Sequence, residues 1–322
     1  KTKKKLLYLS VVANLSILFI FKYLNFFVEN IYNLANLFGF EPDPFLINII
    51  LPLGISFYTF QTISYTVDVY RGHTKPEKCF FTYASYVTFF PQLIAGPILR
   101  AREIIPQFKE KISINFEDIY LGLRRIIFGL FLKVALADNI SIFVDEGFSI
   151  AVKNLSAIDV WTLSFLFGFQ IYFDFSAYSH IAIGSARLFG IKFPENFNFP
   201  YLSNSPKEFW KRWHISLSSW IRDYLYLPLC NLKFKINSTD GIGSEVTLAK
   251  KNKSLFITWS LMGIWHGANW TFLAWGIFHA MFLFFFRQIG KFNKEKIKKT
   301  ETEKIYLTIP AGVDDNEIIT VL

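Results

Sequence analysis

Between Leu255 and Phe286 the chain carries no Asp, Glu, Lys or Arg, and His266 sits in the middle of that run. Such a stretch suits hydrocarbon better than water, because about 20 apolar residues in a helix match the thickness of a bilayer core. Comparable apolar stretches recur at 6–28, 45–67, 119–137 and 158–186. In lipid every backbone polar group has to be satisfied within its own segment, so these stretches read as helices. The expected fold is all-α, a multi-pass transmembrane helical protein with its spans packed into one membrane domain. Composition agrees, since 52% of residues are hydrophobic and 19% aromatic, more than a soluble domain of this size carries.

The formal net charge is +9, which by itself would allow a nucleic-acid partner. The cations flank the apolar runs instead of forming one stripe, so the expected partner is the lipid bilayer and no nucleic acid. Segments 29–44 and 138–159 are acidic, whereas 71–111, 187–253 and 287–299 are rich in Lys and Arg. The positive-inside rule places the basic segments in the cytoplasm, and the alternation suits successive spans. Cys79 and Cys230 then both face a reducing compartment, and no disulfide is expected. The chain begins Lys-Thr-Lys-Lys-Lys before its first apolar run but shows no small-residue cleavage site after it, so a removed leader is not expected.

Local signals divide the chain further. Pro52 and Gly54 should kink the 45–67 span. The stretch 86–99 is apolar but short and contains Pro91, Gly96 and Pro97, which fits a re-entrant or interfacial segment. Ser205, Pro206 and Glu208 form a helix start with a capping box. On the helix predicted after it, Phe209, Trp213, Leu217, Trp220, Ile221 and Tyr224 share one face opposite Lys211, Ser218 and Arg222, the pattern of a helix lying in the interface plane. Asp174 shares a helical face with Tyr178 and Ile181, so it should point into the protein, where a bond to a neighbouring helix is its simplest role. His180 reads as an interfacial side chain. The domain division expected is a membrane domain over 1–290, a charged linker over 291–303 and a strand-like tail over 304–322, in which Ile305, Leu307 and Ile309 alternate before Pro310 and Gly312 turn the chain.

Two histidines directly follow a tryptophan: His214 in EFWKRWHISLSS and His266 in LMGIWHGANW. An ionisable group at membrane depth is costly, about 2 to 3 kcal/mol on insertion scales, and is by default a candidate functional group. The alternative for His266 is a neutral imidazole bonded between packed helices. His214 projects from the border of its helix, where it can turn toward a site or rest among headgroups, and position alone favours the second. No P-loop, dinucleotide fingerprint or metal-ligand cluster is visible, and Ser216, Ser218 and Ser219 have no spacing that specifies a nucleophile.

Five stretches carry a family resemblance: LPLGISFYTFQTISYTVDVYRG (51–72), FFPQLIAGPILR (89–100), QIYFDFSAYSHIAIGSARLFGIKFPENFNFPYLS (170–203), EFWKRWHISLSSWIRDYLYLPL (208–229) and GIWHGANWTFLAWGIFHA (263–280). In this order they resemble the membrane-bound O-acyltransferases, in the branch of bacterial polysaccharide O-acetyltransferases. The resemblance runs from about Leu6 to Phe286; the family's further helices on either side have no counterpart, so the chain reads as truncated at both ends. The tail 304–322 is instead similar to a fragment of DnaJ-type co-chaperones.

What the resemblance implies is acyl transfer in the bacterial inner membrane, from a cytoplasmic thioester, acetyl-CoA or an acyl carrier, to an acceptor reached from the other side. No bound cofactor is implied. An extracytoplasmic SGNH-type acetyltransferase is the implied protein partner. Carried over residue by residue, His266 is the essential histidine and His214 the second signature histidine, with Trp213, Trp265, Asn269 and Asp174 as candidate substrate contacts. The chemistry fits, because an imidazole near pH 7 can take the attacking hydroxyl's proton and protonate the departing thiolate. Counted from Lys253 at about 1.5 Å per residue, His266 lies about 20 Å from the cytoplasmic face, within reach of a pantetheine arm. D-alanyl transfer to teichoic acid from a carrier-protein thioester is the nearest alternative. A proton or small-solute transporter with Asp174, His214 and His266 as a relay is the alternative of another class, against which stands the absence of an internal repeat.

Overall fold

The computed structural model of the chain describes residues 2–40, 46–47, 50–93, 96–232 and 246–303, as backbone alone from 291 onward. Every regular element among the described residues is helical. The helices, in order, are α1 (Thr2–Lys22), α2 (Leu24–Leu37), α3 (Ile55–Arg71), α4 (Phe80–Thr88), α5 (Phe90–Leu93), α6 (Ala101–Lys109), α7 (Phe116–Leu130), α8 (Asp138–Ser149), α9 (Ala157–Leu188), α10 (Pro206–Arg212), α11 (Ile215–Ile221), α12 (Leu227–Leu229), α13 (Leu248–His266) and α14 (Trp270–Glu303). Three stretches are long and apolar enough to cross a membrane: Thr2–Lys22, Phe116–Ser149 and Trp270–Gly290. Their outer surfaces expose Leu9, Val134, Phe143, Phe282 and many more large apolar side chains. In water such a surface would aggregate, whereas lipid tails cover it. This is a membrane protein.

Small residues set the helix packing. A Cβ on Gly122 of α7 would come within 2.9 Å of the Gly184 carbonyl on α9, and one on Gly129 within 2.7 Å of the Ala177 carbonyl. Backbones that close need residues without bulk, the usual solution between helices in lipid. Between α1 and α3 polar side chains meet instead: Thr62 Oγ1 donates to Asn14 Oδ1 at 2.7 Å, and the Ser10 and Thr66 hydroxyls lie 3.3 Å apart. The largest buried cluster joins Phe60 of α3, Leu217 and Trp220 of α11, Leu255, Trp259 and Met262 of α13, and Ala280 of α14. Trp265 and Trp275, which touch His266, pack against it.

Four expected elements take a different form. The span predicted over 45–67 begins only at Ile55, because Gly54 adopts a left-handed conformation (φ 74°) and ends the preceding turn instead of kinking a helix. A Cβ there would meet the Leu93 carbonyl at 2.2 Å, so the α5 backbone crosses at this point. The acidic loop expected over 138–159 is mostly helix: α7 runs through a π-helical stretch, Phe131–Ala137, into α8. Asp138 opens α8 and Asp145 and Glu146 ride exposed toward its end, and only Ile150–Ser156 connects to α9. There Ser156 and Asp159 cap each other reciprocally.

The apolar run 255–286 is two helices that pack as a hairpin. Its corner is Gly267–Asn269, where the Asn269 carboxamide oxygen accepts from Thr271 N and Oγ1 at 2.9 and 3.0 Å and starts α14. A side chain that satisfies the orphan donors of a new helix makes the break affordable. The interfacial helix predicted from 206 onward is also broken, at Trp213–His214, into α10 and α11. Helical backbone continues from 291 to Glu303 in α14, and the tail 304–322 lies outside the described residues.

Candidate active site

His214 owes its position to a backbone break. Its φ of 42° is left-handed, a conformation uncommon for a residue with a Cβ and costing about 1 to 2 kcal/mol. The neighbouring segment 196–198 holds the chain there. Ile215 N donates to Asn196 O and Asn198 N to Arg212 O, both at 2.9 Å, so the two chains pair on either side of the break. The Asn196 side chain completes the brace: Oδ1 accepts from Ser216 Oγ at 2.9 Å, and Nδ2 donates to Ser179 Oγ at 3.0 Å. The result overturns the interfacial expectation, for His214 is 4% exposed. Its ring meets Phe175 edge-on at 4.5 Å, and Nε2 is buried without a hydrogen-bond partner.

His266 is the last residue of α13, and it is exposed where His214 is buried. Its ring lies 4.9 Å from Trp265 and 4.9 Å from Trp275, which in turn lies 4.5 Å from His279. His279 stacks on Trp259 at 5.4 Å and meets Trp210 edge-on at 5.4 Å. The charge of a protonated His266 would reach the His214 ring. Burial holds the His214 imidazole well below its ordinary value, and the neighbouring His266 adds to the effect. His214 is therefore neutral at physiological pH, and its unbonded nitrogen can exchange a proton only with something that enters the site.

The other expected contacts separate. Trp265 stays at the centre, stacked on Phe60 at 5.3 Å with its indole Nε1 buried and unbonded. Trp213 turns away into a second aromatic group with Phe209 at 5.6 Å and Phe197 at 5.2 Å. The Asn269 oxygen is engaged in capping α14. Asp174 does not point into the protein: its side chain is 40% exposed and bonds Lys133 Nζ at 2.7 Å, so it has the helix-to-helix role named as simplest. His180 lies 3.4 Å from Arg125. Sequence reasoning passed over His279, although it stands in the same charge-free run as His266 and the same depth criterion applies to it.

Polar contacts join the segment before α6 to α11 and the turn after it. The predicted re-entrant segment supplies Ile98, whose N donates to Ser216 Oγ at 2.9 Å, and Leu99, whose carbonyl accepts from Tyr86 OH at 3.0 Å. Arg100 pairs with Asp223 at 3.2 Å with both side chains buried, and its guanidinium lies 4.5 Å over the Tyr224 ring. Asp223 also accepts from Arg222 at 2.7 Å. Ser216, Ser218 and Ser219 are all taken up in such bonds, with Asn196, the Trp213 carbonyl and the Ser216 carbonyl respectively. Among the described residues no cluster of His, Cys, Asp or Glu is arranged to hold a metal ion.

Two buried or tryptophan-lined imidazoles at a helical break, inside an exterior made for lipid, are matched by the family model of the membrane-bound O-acyltransferases over residues 79–304. The chain belongs to that family. It is 41% identical over 290 residues to the probable alginate O-acetylase AlgI of Pseudomonas aeruginosa, covering 90% of this chain and 53% of that protein. It is 38% identical to the peptidoglycan O-acetyltransferase of Helicobacter pylori, covering 96% of this chain and 58% of that protein. A teichoic acid D-alanyltransferase of Bacillus subtilis is 31% identical, over 77% of this chain and 62% of that protein. The chain spans between about half and three fifths of the length of these relatives. The family match includes α4 to α14 and both histidines, and leaves α1 to α3 outside it.

Proposed function

We propose that this chain carries the transfer centre of a bacterial inner-membrane O-acetyltransferase, which takes acetyl from acetyl-CoA on the cytoplasmic side for O-acetylation of a cell-envelope polysaccharide. The observation that carries the reading is a buried, neutral His214 whose ring feels the charge of a reachable His266, in a chain of the O-acyltransferase family. In the reaction the acceptor hydroxyl attacks the thioester carbonyl, an O–C bond forms and the C–S bond breaks. His266 takes the hydroxyl proton and returns it to the departing thiolate, so no net proton is consumed. His214 holds the reacting carbonyl or its acceptor through the unbonded Nε2. Direct transfer is favoured over an acyl-serine, since the three nearby serines are committed to structural bonds. Trp265 borders His266 as a support, while Asn269, Asp174 and Trp213 are engaged elsewhere and take no part in the transfer.

An extracytoplasmic SGNH-type acetyltransferase is the partner that would pass acetyl to the polymer. The test is release of CoA from acetyl-CoA by the purified full-length protein. Replacing His266 by Ala should lower turnover by about 10²- to 10⁴-fold, the usual worth of a general base, while insertion in the membrane is unchanged. Wild-type turnover in that variant would remove His266 from the mechanism. The likeness to a D-alanyltransferase favours a second donor: turnover with a D-alanyl carrier protein and none with acetyl-CoA would replace the acetyl reading.

A further inference from the structure

Lys22 ends α1, a helix outside the segment that the family model matches. Its ammonium donates to the carbonyl oxygen of Trp265, and Tyr23 OH donates to the same oxygen at 3.5 Å. The ammonium also lies 5.3 Å over the Trp265 ring and 5.7 Å over the Tyr23 ring. Helix α13 stops one residue later, and its last carbonyls have no donor within the helix. A cation at that end satisfies one of them and meets the negative end of the helix dipole. A lysine at the end of a membrane span, held among ring faces, is costly enough that its position asks for a reason.

The other side of the corner is held from the same two helices. Asn30 of α2 accepts from Trp270 Nε1 at 2.8 Å through Oδ1, and Phe26 packs on Trp270 at 5.6 Å. Between these points Ala268 rests against the cluster of Leu18, Tyr23 and Ile55. The α1–α2 corner therefore grips the chain immediately before His266 and immediately after Asn269. The His266 ring touches Trp265 and Trp275, both of which belong to the same hairpin, so its orientation follows how firmly the backbone corner between α13 and α14 is held.

We propose that Lys22 is a positioning residue for acyl transfer: it caps the last turn of α13 and, together with Asn30, fixes the height and orientation of the His266 imidazole. The proposal rests on the acyl-transfer reading above. A displacement of about 1 Å in a reacting group costs about 10²-fold in rate. Lys22→Gln keeps a shorter donor without the charge or the reach, and Lys22→Arg keeps both.

The experiment uses the full-length protein in bilayer discs and measures CoA release at varied acetyl-CoA. Lys22→Gln should lower kcat by about 10- to 100-fold with KM changed less than about twofold, and Lys22→Arg should recover most of the loss. Adding Lys22→Gln to His266→Ala should cause no further fall. A wild-type kcat in Lys22→Gln, an Arg variant no better than Gln, or a further loss in the His266→Ala background would each overturn the proposal. Should Lys22→Gln fail to reach the membrane, Asn30→Ala, which leaves the charge in place, takes its role and should lower kcat alone; no loss there refutes the clamp. Reaction of His266 with diethyl pyrocarbonate, followed by mass spectrometry, provides a readout that needs no turnover. Its rate should rise in Lys22→Gln or Asn30→Ala, and an unchanged rate overturns the positioning role even if the wild-type protein transfers nothing from acetyl-CoA. That last result, by itself, counts only against the acetyl reading.

Discussion

Gly263→Ala is a small change with a large expected effect, because the site hangs from the α13–α14 hairpin. A Cβ on Gly263 would stand 2.3 Å from the Phe272 carbonyl oxygen and 3.2 Å from the Gly276 Cα. Ordinary contact begins near 3.4 Å, so the two helices have to part by about 1 Å at this level. Backbone stands on the far side of the contact, so no side chain can swing away to relieve it. Overpacking of this kind costs about 1 to 3 kcal/mol. His266 is one turn further along α13, and a shift of the same size there would lower turnover by about 10²-fold. Gly290→Ala on α14 is the control, since a Cβ at that position meets nothing within 4 Å. Thermal unfolding in detergent and CoA release, measured on both variants, check the reasoning. If Gly263→Ala matches Gly290→Ala in stability and stays within about twofold of wild-type turnover, the hairpin is not the rigid mount described here.

Other consequences follow from the same structure. Arg100→Ala should destabilise the fold by about 3 to 5 kcal/mol because it leaves Asp223 buried with half of its partners gone, whereas the double change Arg100→Met with Asp223→Leu should cost less; denaturant titration of the three variants tests this. Asn196→Ala keeps the backbone pairing with Ile215 but removes the side-chain bonds to Ser216 and Ser179, so a loss of about 1 to 3 kcal/mol is expected, read as a lower melting temperature. The pH dependence of stability follows from the depressed His214. The unfolded chain binds a proton below about pH 6.5 that the folded protein refuses, so stability is full above that pH and falls as the pH is lowered, by up to about 1.4 kcal/mol per unit. His214→Asn, which tolerates the left-handed backbone, should make that slope shallower in unfolding measured between pH 7 and pH 5.

Much of the architecture was legible in local sequence, for a physical reason. Apolar length alone decides that a segment prefers lipid, and caps such as Ser156 with Asp159 or Ser205 with Glu208 act within four residues. The all-α class, a helix over the apolar stretch 158–186, the irregular stretch around Gly96 and Pro97 and the two histidines that each follow a tryptophan were all within reach of the chain read by itself. Where the helices break was not. The turn at Gly267–Asn269 and the reversal at His214 each give up intrahelical bonds, and distant segments brace both: Lys22 meets a carbonyl at the end of α13 and Asn30 holds the Trp270 indole beside the first, while Asn196 and Asn198 pair with the chain at the second. Period and composition describe a residue's own helix and are blind to such partners. So His214 looked interfacial and is buried, while Asp174 looked internal and meets Lys133 at a partly exposed position. Sequence alone determined that this chain is a membrane helix protein with two marked histidines; tertiary contacts between segments far apart decided which histidine is buried, which is reachable, and what holds each of them in place.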